Sequence, residues 1–512
     1  MASLARTVVK GSALGLLGTL LALPVALVST PLFLKGLGAT GFGYWGLLQG
    51  FFAALSLLAV GTTEATLYFV ARDEAQVGGP AERSRNRALV LVVLAGCLTG
   101  GLVLALGPCF GLGSLLDLPL AEQAGFERLL LPAAAFWCCQ FWFFWLQLLP
   151  RARHEYGVLA WNQIALAVLV PLLGWVGMVL GHGDVRTFLW GQALAWALGS
   201  LSIHTWNARH KQPLDLRPGF DPEVLAEVGR YARWALVFNL AIVVLNSSDR
   251  LLLAKLGVGA LAGYTAASSF TMRVYAVTGS MSSSLLPALA RIKEGIETDR
   301  LRRGFSVSLR AIGFFWAALL LPLAAWGDHF MAVWLRDPAM AAATYPALRL
   351  LCCGAFFGAL ASGCHAALLG TGRPRLAAVT GMAGAVVGLL IALVAIPRFG
   401  IAGAALLGLA GNALAYLMRV VYMEKTLFSR PLSPLILEQV LACAALGLAY
   451  AAMRLVSPAL EGEGLVLTAL IMVGSAGLLL LLGLGLDWLC SALRSRPSLW
   501  STVLALKRAG EA

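Results

Sequence analysis

Arg273 stands in the middle of a long apolar stretch, with Ser269, Ser280 and Ser284 around it at spacings of 4, 7 and 4. On a helix these four share one face. An arginine that deep in an apolar segment costs at least a few kcal/mol against lipid, so it must face a watery cavity or a partner. Its planar fork suits an oxyanion gripped by two parallel hydrogen bonds. A second stripe carries Asn239, Asn246 and Arg250 at spacings of 7 and 4, with Asp249 at its edge. Asp249 has two readings, a local charge partner for Arg250 or a lining group of a cavity mouth. Glu64, in "GTTEATLYFVA", is the one carboxylate deep in the first part of the chain. It reads as the partner of a buried arginine or as a proton- or cation-linked group. His365, in "ASGCHAALLG", would titrate near neutral pH if exposed, but one histidine on an apolar helix is ordinarily packing. Arg233, Arg310, Arg349 and Arg419 lie near segment ends, where a long side chain reaches water by snorkelling.

The stretch "GLGATGFGYW" offers a different chemistry. Gly36 to Gly41 match G-x-G-x-x-G. That pattern cradles a dinucleotide only between a strand and a helix, with an acidic residue about 20 positions on. Here the preceding apolar run is long enough to cross a bilayer, and "LSLLAV" downstream has no carboxylate. The glycines are expected to form a tight turn between two membrane helices. No Walker A, H-E-x-x-H or G-x-S-x-G pattern occurs, and the nine cysteines have no C-x-x-C spacing. They read as packing residues and free thiols. No cofactor, metal or hydrolytic chemistry is expected.

The elements that must position these residues follow from composition. Of 512 residues, 59% are hydrophobic and 12% charged, and the mean hydropathy is +0.82. Soluble domains carry about 25% charged residues. The expected class is an all-α polytopic membrane protein. Fourteen apolar segments are read as spans: 11–34, 43–70, 88–110, 128–149, 158–180, 188–206, 230–253, 261–287, 305–327, 346–369, 376–395, 401–424, 435–456 and 464–489. The first is of spanning length without a clear cleavage site, and is read as retained. With both termini inside, the inner segments hold 25 lysines and arginines and the outer ones 7. Every inner loop exceeds every outer one, as the positive-inside rule requires. The net charge of +13 is thereby explained without nucleic acid.

The glycine turn recurs. "LKGLGATGFGYWGLLQ" and "AKLGVGALAGYTAASS" align Lys35, Leu37-Gly38 and Gly43-Tyr44 with Lys255, Leu256-Gly257 and Gly263-Tyr264. A turn that needs glycine and a tyrosine at the membrane interface are the shared features. The offset of about 220 residues equals six spans. An even number implies two parallel six-helix halves, at 1–206 and 230–430, a layout known among secondary transporters. Residues 207–229 read as a cytoplasmic linker, 431–489 as an appended helix pair and 490–512 as a cytoplasmic tail. Asp221-Pro222-Glu223 reads as an N-cap, a proline at the first helical position and a first-turn acid. Gly46-x-x-x-Gly50, Gly96-x-x-x-Gly100 and Gly384-x-x-x-Gly388 read as close-packing sites between helices.

With these residues in view, "LFLKGLGATGFGYWGLLQGFFAALSLLAVGTTEAT" resembles the opening of polysaccharide-type flippases of the multidrug/oligosaccharidyl-lipid/polysaccharide exporter superfamily. "NSSDRLLLAKLGVGALAGYTAASSFTMRVYAVTGSMSSSLLPALARI" is similar to that family's second-half core. "AALLGTGRPRLAAV" and "IPRFGIAGAALLGLAGNALAYL" resemble its spans ten to twelve. The likeness covers roughly residues 10–425. It implies a V-shaped helical bundle of the bacterial cytoplasmic membrane, alternating between inward- and outward-facing states. The implied cargo is an undecaprenyl-diphosphate-linked oligosaccharide for O-antigen (lipopolysaccharide), capsule or exopolysaccharide. Partners would be that lipid-linked substrate, membrane lipids, a coupling proton or cation, and polysaccharide assembly proteins. The substrate-binding residues would be Arg273, Arg250, Asn239, Asn246, Ser269 and Ser280, with Glu64 and Asp249 as coupling or charge partners. Arg273 matches a cavity arginine of the lipid II branch, but span one has no arginine and span two carries Glu64, which departs from that branch. The alternatives are a lipid II flippase, a multidrug or cation antiporter of the same superfamily, and an integral-membrane polymerase or ligase. The antiporter would be expected to show an acid in span one. The polymerase would need a large outer loop, and the outer loops here have at most about 20 residues.

Overall fold

The computed structural model describes residues 2–59, 66, 80–153, 155–209, 215–271, 298–370, 373–427, 448–455 and 465–493. The described secondary structure is helical throughout, and each of the segments read as spans carries helix. The principal helices are α1 (Ala2–Leu55), α2 (Pro80–Ala105), α3 (Leu120–Glu127), α4 (Leu130–Leu146), α5 (Tyr156–Leu180), α6 (Val185–Arg209) and α7 (Pro222–Leu253). They continue with α8 (258–271), α9 (Thr298–Leu335), α10 (Pro338–Gly370), α11 (Pro374–Phe399), α12 (Ile401–Tyr422), α13 (448–455) and α14 (Leu465–Leu493). Eight described stretches are long and apolar enough to cross a bilayer. In hydrocarbon every backbone group must be paired within its own segment, which is why these apolar runs are helices. The chain is a multi-pass membrane protein.

α1 is two helices joined at Gly38, whose φ of 71° and ψ of 171° lie in a region that is essentially glycine's alone. The expected turn is there. Its recurrence is there too: Gly257 has φ 90° and ψ 158°. The helix start is as read. Asp221 caps α7 by accepting the Val224 N–H at 3.2 Å, with Pro222 at the first helical position.

The described chain forms two compact units, Met1–Ala266 with Ala385–Leu407, and Ala267–Gly384 with Gly408–Ala512. In the first, α1 packs on α5 and α7, α5 on α6, α6 on α4 and α4 on α2. Its middle is aromatic: Phe52 stacks on Phe136 with centroids 4.7 Å apart, and Trp45 meets Phe136 and Phe188 edge-on. Glycines admit these contacts. A Cβ at Gly96 would press on Phe141 and the Leu58 carbonyl, and one at Gly100 would collide with the Trp137 ring. In the second unit α9 packs on α10 and α14, and a Cβ at Gly384 would strike the Gly411 carbonyl. Gly96, Gly100 and Gly384 serve close packing, as small residues do where lipid supplies no hydrophobic drive between helices.

Candidate functional site

Within the first unit, α1, α7 and α8 converge on a buried polar cluster. α7 leaves the Asp221 cap and runs for 32 residues, which brings Asn239 and Asn246, both half-buried, toward its far end. There Ser247, Asp249 and Arg250 are 1%, 6% and 8% exposed. The turn at Gly257 reverses the chain into α8 and returns Tyr264 to Asp249. The Tyr264 hydroxyl donates to Asp249 Oδ2, and the Arg250 main-chain N–H donates to Oδ1 at 2.8 Å. A carboxylate buried this way is held by a hydroxyl and an amide as well as by its charged neighbour. α1 closes the cluster from the other side. A Cβ at Gly50 would lie 3.2 Å from the Arg250 Cβ, and one at Gly46 would collide with the Thr265 hydroxyl.

The two repeated tyrosines are buried against neighbouring segments. Tyr44 is 8% and Tyr264 1% exposed. Tyr44 donates to the Glu122 carbonyl at 2.8 Å, while Tyr264 donates to Asp249. A buried phenol seeks a hydrogen-bond partner, and both find one on a neighbouring segment.

Of the residues singled out in the sequence, Asp249, Arg250, Asn239 and Asn246 share α7 in the first unit. Ser269 lies half-buried on α8, in the stretch assigned to the second unit. Arg273, Ser280, Ser284 and Glu64 fall outside the described residues.

One site in the second unit was misread as a snorkelling arginine. Arg419 on α12 is 5% exposed. Its Nε donates to Thr380 Oγ1 at 2.9 Å, its Nη1 to the Ala361 carbonyl at 2.8 Å and its Nη2 to the Ala377 carbonyl at 3.1 Å. One guanidinium thus ties α10, α11 and α12 together. Cys364 is buried and His365 half-buried beside the Ala361 turn. The signal was present: Asn412, Tyr416 and Arg419 repeat at spacings of 4 and 3, and all three are buried on one face. Arg349 lies nearer water and donates to the Tyr450 hydroxyl at 3.2 Å. The appended helices are docked, not loose. Arg454 on α13 pairs with Asp328 at 2.8 Å and donates to the Ala325 carbonyl at 2.7 Å, and the Trp326 indole donates to the Met453 carbonyl at 2.9 Å. Cys97, Cys109, Cys138, Cys139, Cys352, Cys353 and Cys364 are free thiols.

The MatE family model matches residues 221–394. No curated protein sequence matches the chain. Solved structures do, by fold. The lipid II flippase MurJ in an inward closed conformation superposes with a TM-score of 0.68 at 15% identity, covering 92% of this chain and 98% of its own. An inward-facing multidrug resistance MATE family transporter of the MOP superfamily gives 0.64 at 15% identity, covering 80% and 98%. The Vibrio cholerae MATE transporter VcmN in its bent form gives 0.60 at 16% identity, covering 83% and 98%. The chain has the MATE-type transporter fold.

Proposed function

We propose that the chain moves a lipid-diphosphate-linked oligosaccharide across the bacterial cytoplasmic membrane by alternating access, for surface polysaccharide assembly. The observation that carries the reading is the polar and cationic face of α7, Asn239, Asn246 and Arg250 beside buried Asp249, in a fold shared with flippases and exporters. In this reading the chain works as two parallel six-helix halves, 1–206 and 230–430, and both termini are cytoplasmic. Arg273 and Arg250 hold the diphosphate, and Asn239, Asn246, Ser269 and Ser280 take hydroxyls of the sugar. Glu64 and Asp249 are the charge partners when the site is empty. Guanidinium forks are suited to this work because two oxygens of one phosphoryl group can take two parallel hydrogen bonds.

The test is surface glycan in a strain lacking the native gene, complemented at matched membrane abundance. Arg273→Ala is expected to insert normally and fail to export. Full export by that variant removes Arg273 from the site. Two other readings have specific support. The MurJ likeness favours a lipid II cargo, which rescue of a lipid II flippase deficiency would show. The likeness to a multidrug resistance MATE transporter favours a drug, which saturable binding of a fluorescent organic cation to the purified protein would show.

A further inference from the structure

In the first unit the two glycine turns are fastened by one short surface segment. α3 lies between them and carries Glu122 in its first turn. The Glu122 main-chain carbonyl accepts the Tyr44 hydroxyl at 2.8 Å, which holds the first turn. Its side-chain Oε2 accepts the Val258 N–H at 3.0 Å, which holds the second. Val258 opens α8, so its N–H is one of the amides that a helix leaves unpaired, at the end where a negative charge is favoured. Just before α3, Asp117 pairs with Lys255 at 2.7 Å. Beneath these bonds the turns meet through small residues. A Cβ at Gly43 would strike the Val258 carbonyl, and one at Gly46 the Thr265 hydroxyl.

We infer that residues 111–128 form a conformational latch, with the Glu122 carboxylate as its catch: bonded to Val258, it holds the 254–266 segment against 36–50, and released, it lets them part. The chemistry of the contact fits a latch better than a permanent brace. The Lys255–Asp117 pair has side chains 57% and 64% exposed, and exposed pairs contribute little. The Glu122 bond is a single acceptor on a helix end, which water replaces when the end opens. At Gly43 and Gly46 the facing surfaces are a glycine against the Val258 carbonyl and a glycine against the Thr265 hydroxyl, contacts that involve no large side chain. The purpose of the latch rests on the alternating-access reading above. Its existence does not.

The experiment uses the full-length protein purified in detergent, with the nine native cysteines replaced. Thr265→Cys is the reporter, at a position 6% exposed, and Ala134→Cys on α4, also 6% exposed, is the reference. Maleimide labelling rates are measured at each. Glu122→Ala should speed labelling at position 265 roughly tenfold, the scale of one hydrogen bond to a charged group, and leave position 134 unchanged. Glu122→Gln keeps an oxygen for the Val258 N–H and should stay within about threefold of the parent. An unchanged rate at 265 in Glu122→Ala overturns the latch. So does an equal rise at both positions, which is unfolding. Labelling needs no substrate, so a wrong cargo leaves this result standing.

Discussion

Two arginines of apolar segments, Arg419 and Arg273, carry opposite expectations in this molecule. Arg419 is satisfied by the protein itself: a hydroxyl and two carbonyls take its hydrogen bonds. Arg419→Ala would remove three hydrogen bonds between helices and leave a void. We expect a loss of about 2–4 kcal/mol of stability, read as a lower midpoint of thermal unfolding in detergent, with Arg419→Lys between the two. Arg273 is expected to behave in the opposite way. On the proposed function its partner is the cargo, so Arg273→Ala should keep abundance and lose export, while Arg273→Lys, with charge but no fork, should transport weakly. If Arg273→Ala loses abundance in place of export, the residue is structural. Glu64→Gln is expected to express normally and change the pH dependence of export. A flat, normal profile would make Glu64 a structural residue.

At the scale of elements, the turns and caps carry the testable chemistry. Gly38 and Gly257 hold backbone angles that a side chain resists, so Gly38→Ala or Gly257→Ala should each cost about 1–3 kcal/mol. Gly259, two residues on, has helical angles and open space for a Cβ. Gly259→Ala is the control and should be neutral or slightly stabilising. Thermal unfolding of the three variants makes the comparison. The linker gives a pH prediction. The Ser84 hydroxyl and the Val224 N–H donate to Asp221 and hold its carboxyl below the usual carboxylate range. A folded value below the unfolded one means that the cap is fully present above the unfolded value of about 4 and is lost as pH falls through the folded one. The protection of the first-turn amides of α7, taken relative to their intrinsic exchange rate at each pH, should therefore fall on acidification, and Asp221→Asn should flatten that dependence. These elements were legible because each is local: a glycine, a proline and a capping acid act within a few residues. The tyrosines were half legible. Their recurrence was plain in the sequence, but their burial depends on α3 and Asp249, which are remote in sequence or across a turn.

For the whole molecule, orientation is the first question. Cysteine at Thr40, which is exposed beside the first turn, is expected to label with an impermeant maleimide from outside intact cells. Cysteine at Arg209, exposed at the end of α6, should label only after permeabilisation. The reverse pattern would invert the topology. Asn86 shares the expected inner side but is 7% exposed, so it is a poor reporter in either orientation. The appended helices belong to the same scale. Arg454→Ala removes the pair with Asp328 and a bond to the Ala325 carbonyl. It is expected to expose the α13 segment to proteolysis while leaving the first unit's protection unchanged.

By itself the sequence determined the class of protein, its helices, its turn positions and its repeat. Hydropathy, charge asymmetry and glycine placement are written one segment at a time, and lipid permits few backbone solutions for an apolar run. Tertiary structure decided which polar groups are satisfied and by what. Arg419 looked like a cation near water until α10 and α11 supplied its acceptors. Tyr264 read as a ring at the membrane interface, and the turn at Gly257 gave it a buried carboxylate partner, Asp249. Glu122 stood out in no pattern at all, because what it grips lies 136 residues away. Burial and pairing in a membrane bundle are set by neighbouring helices, and no spacing along one helix encodes which neighbour will be there.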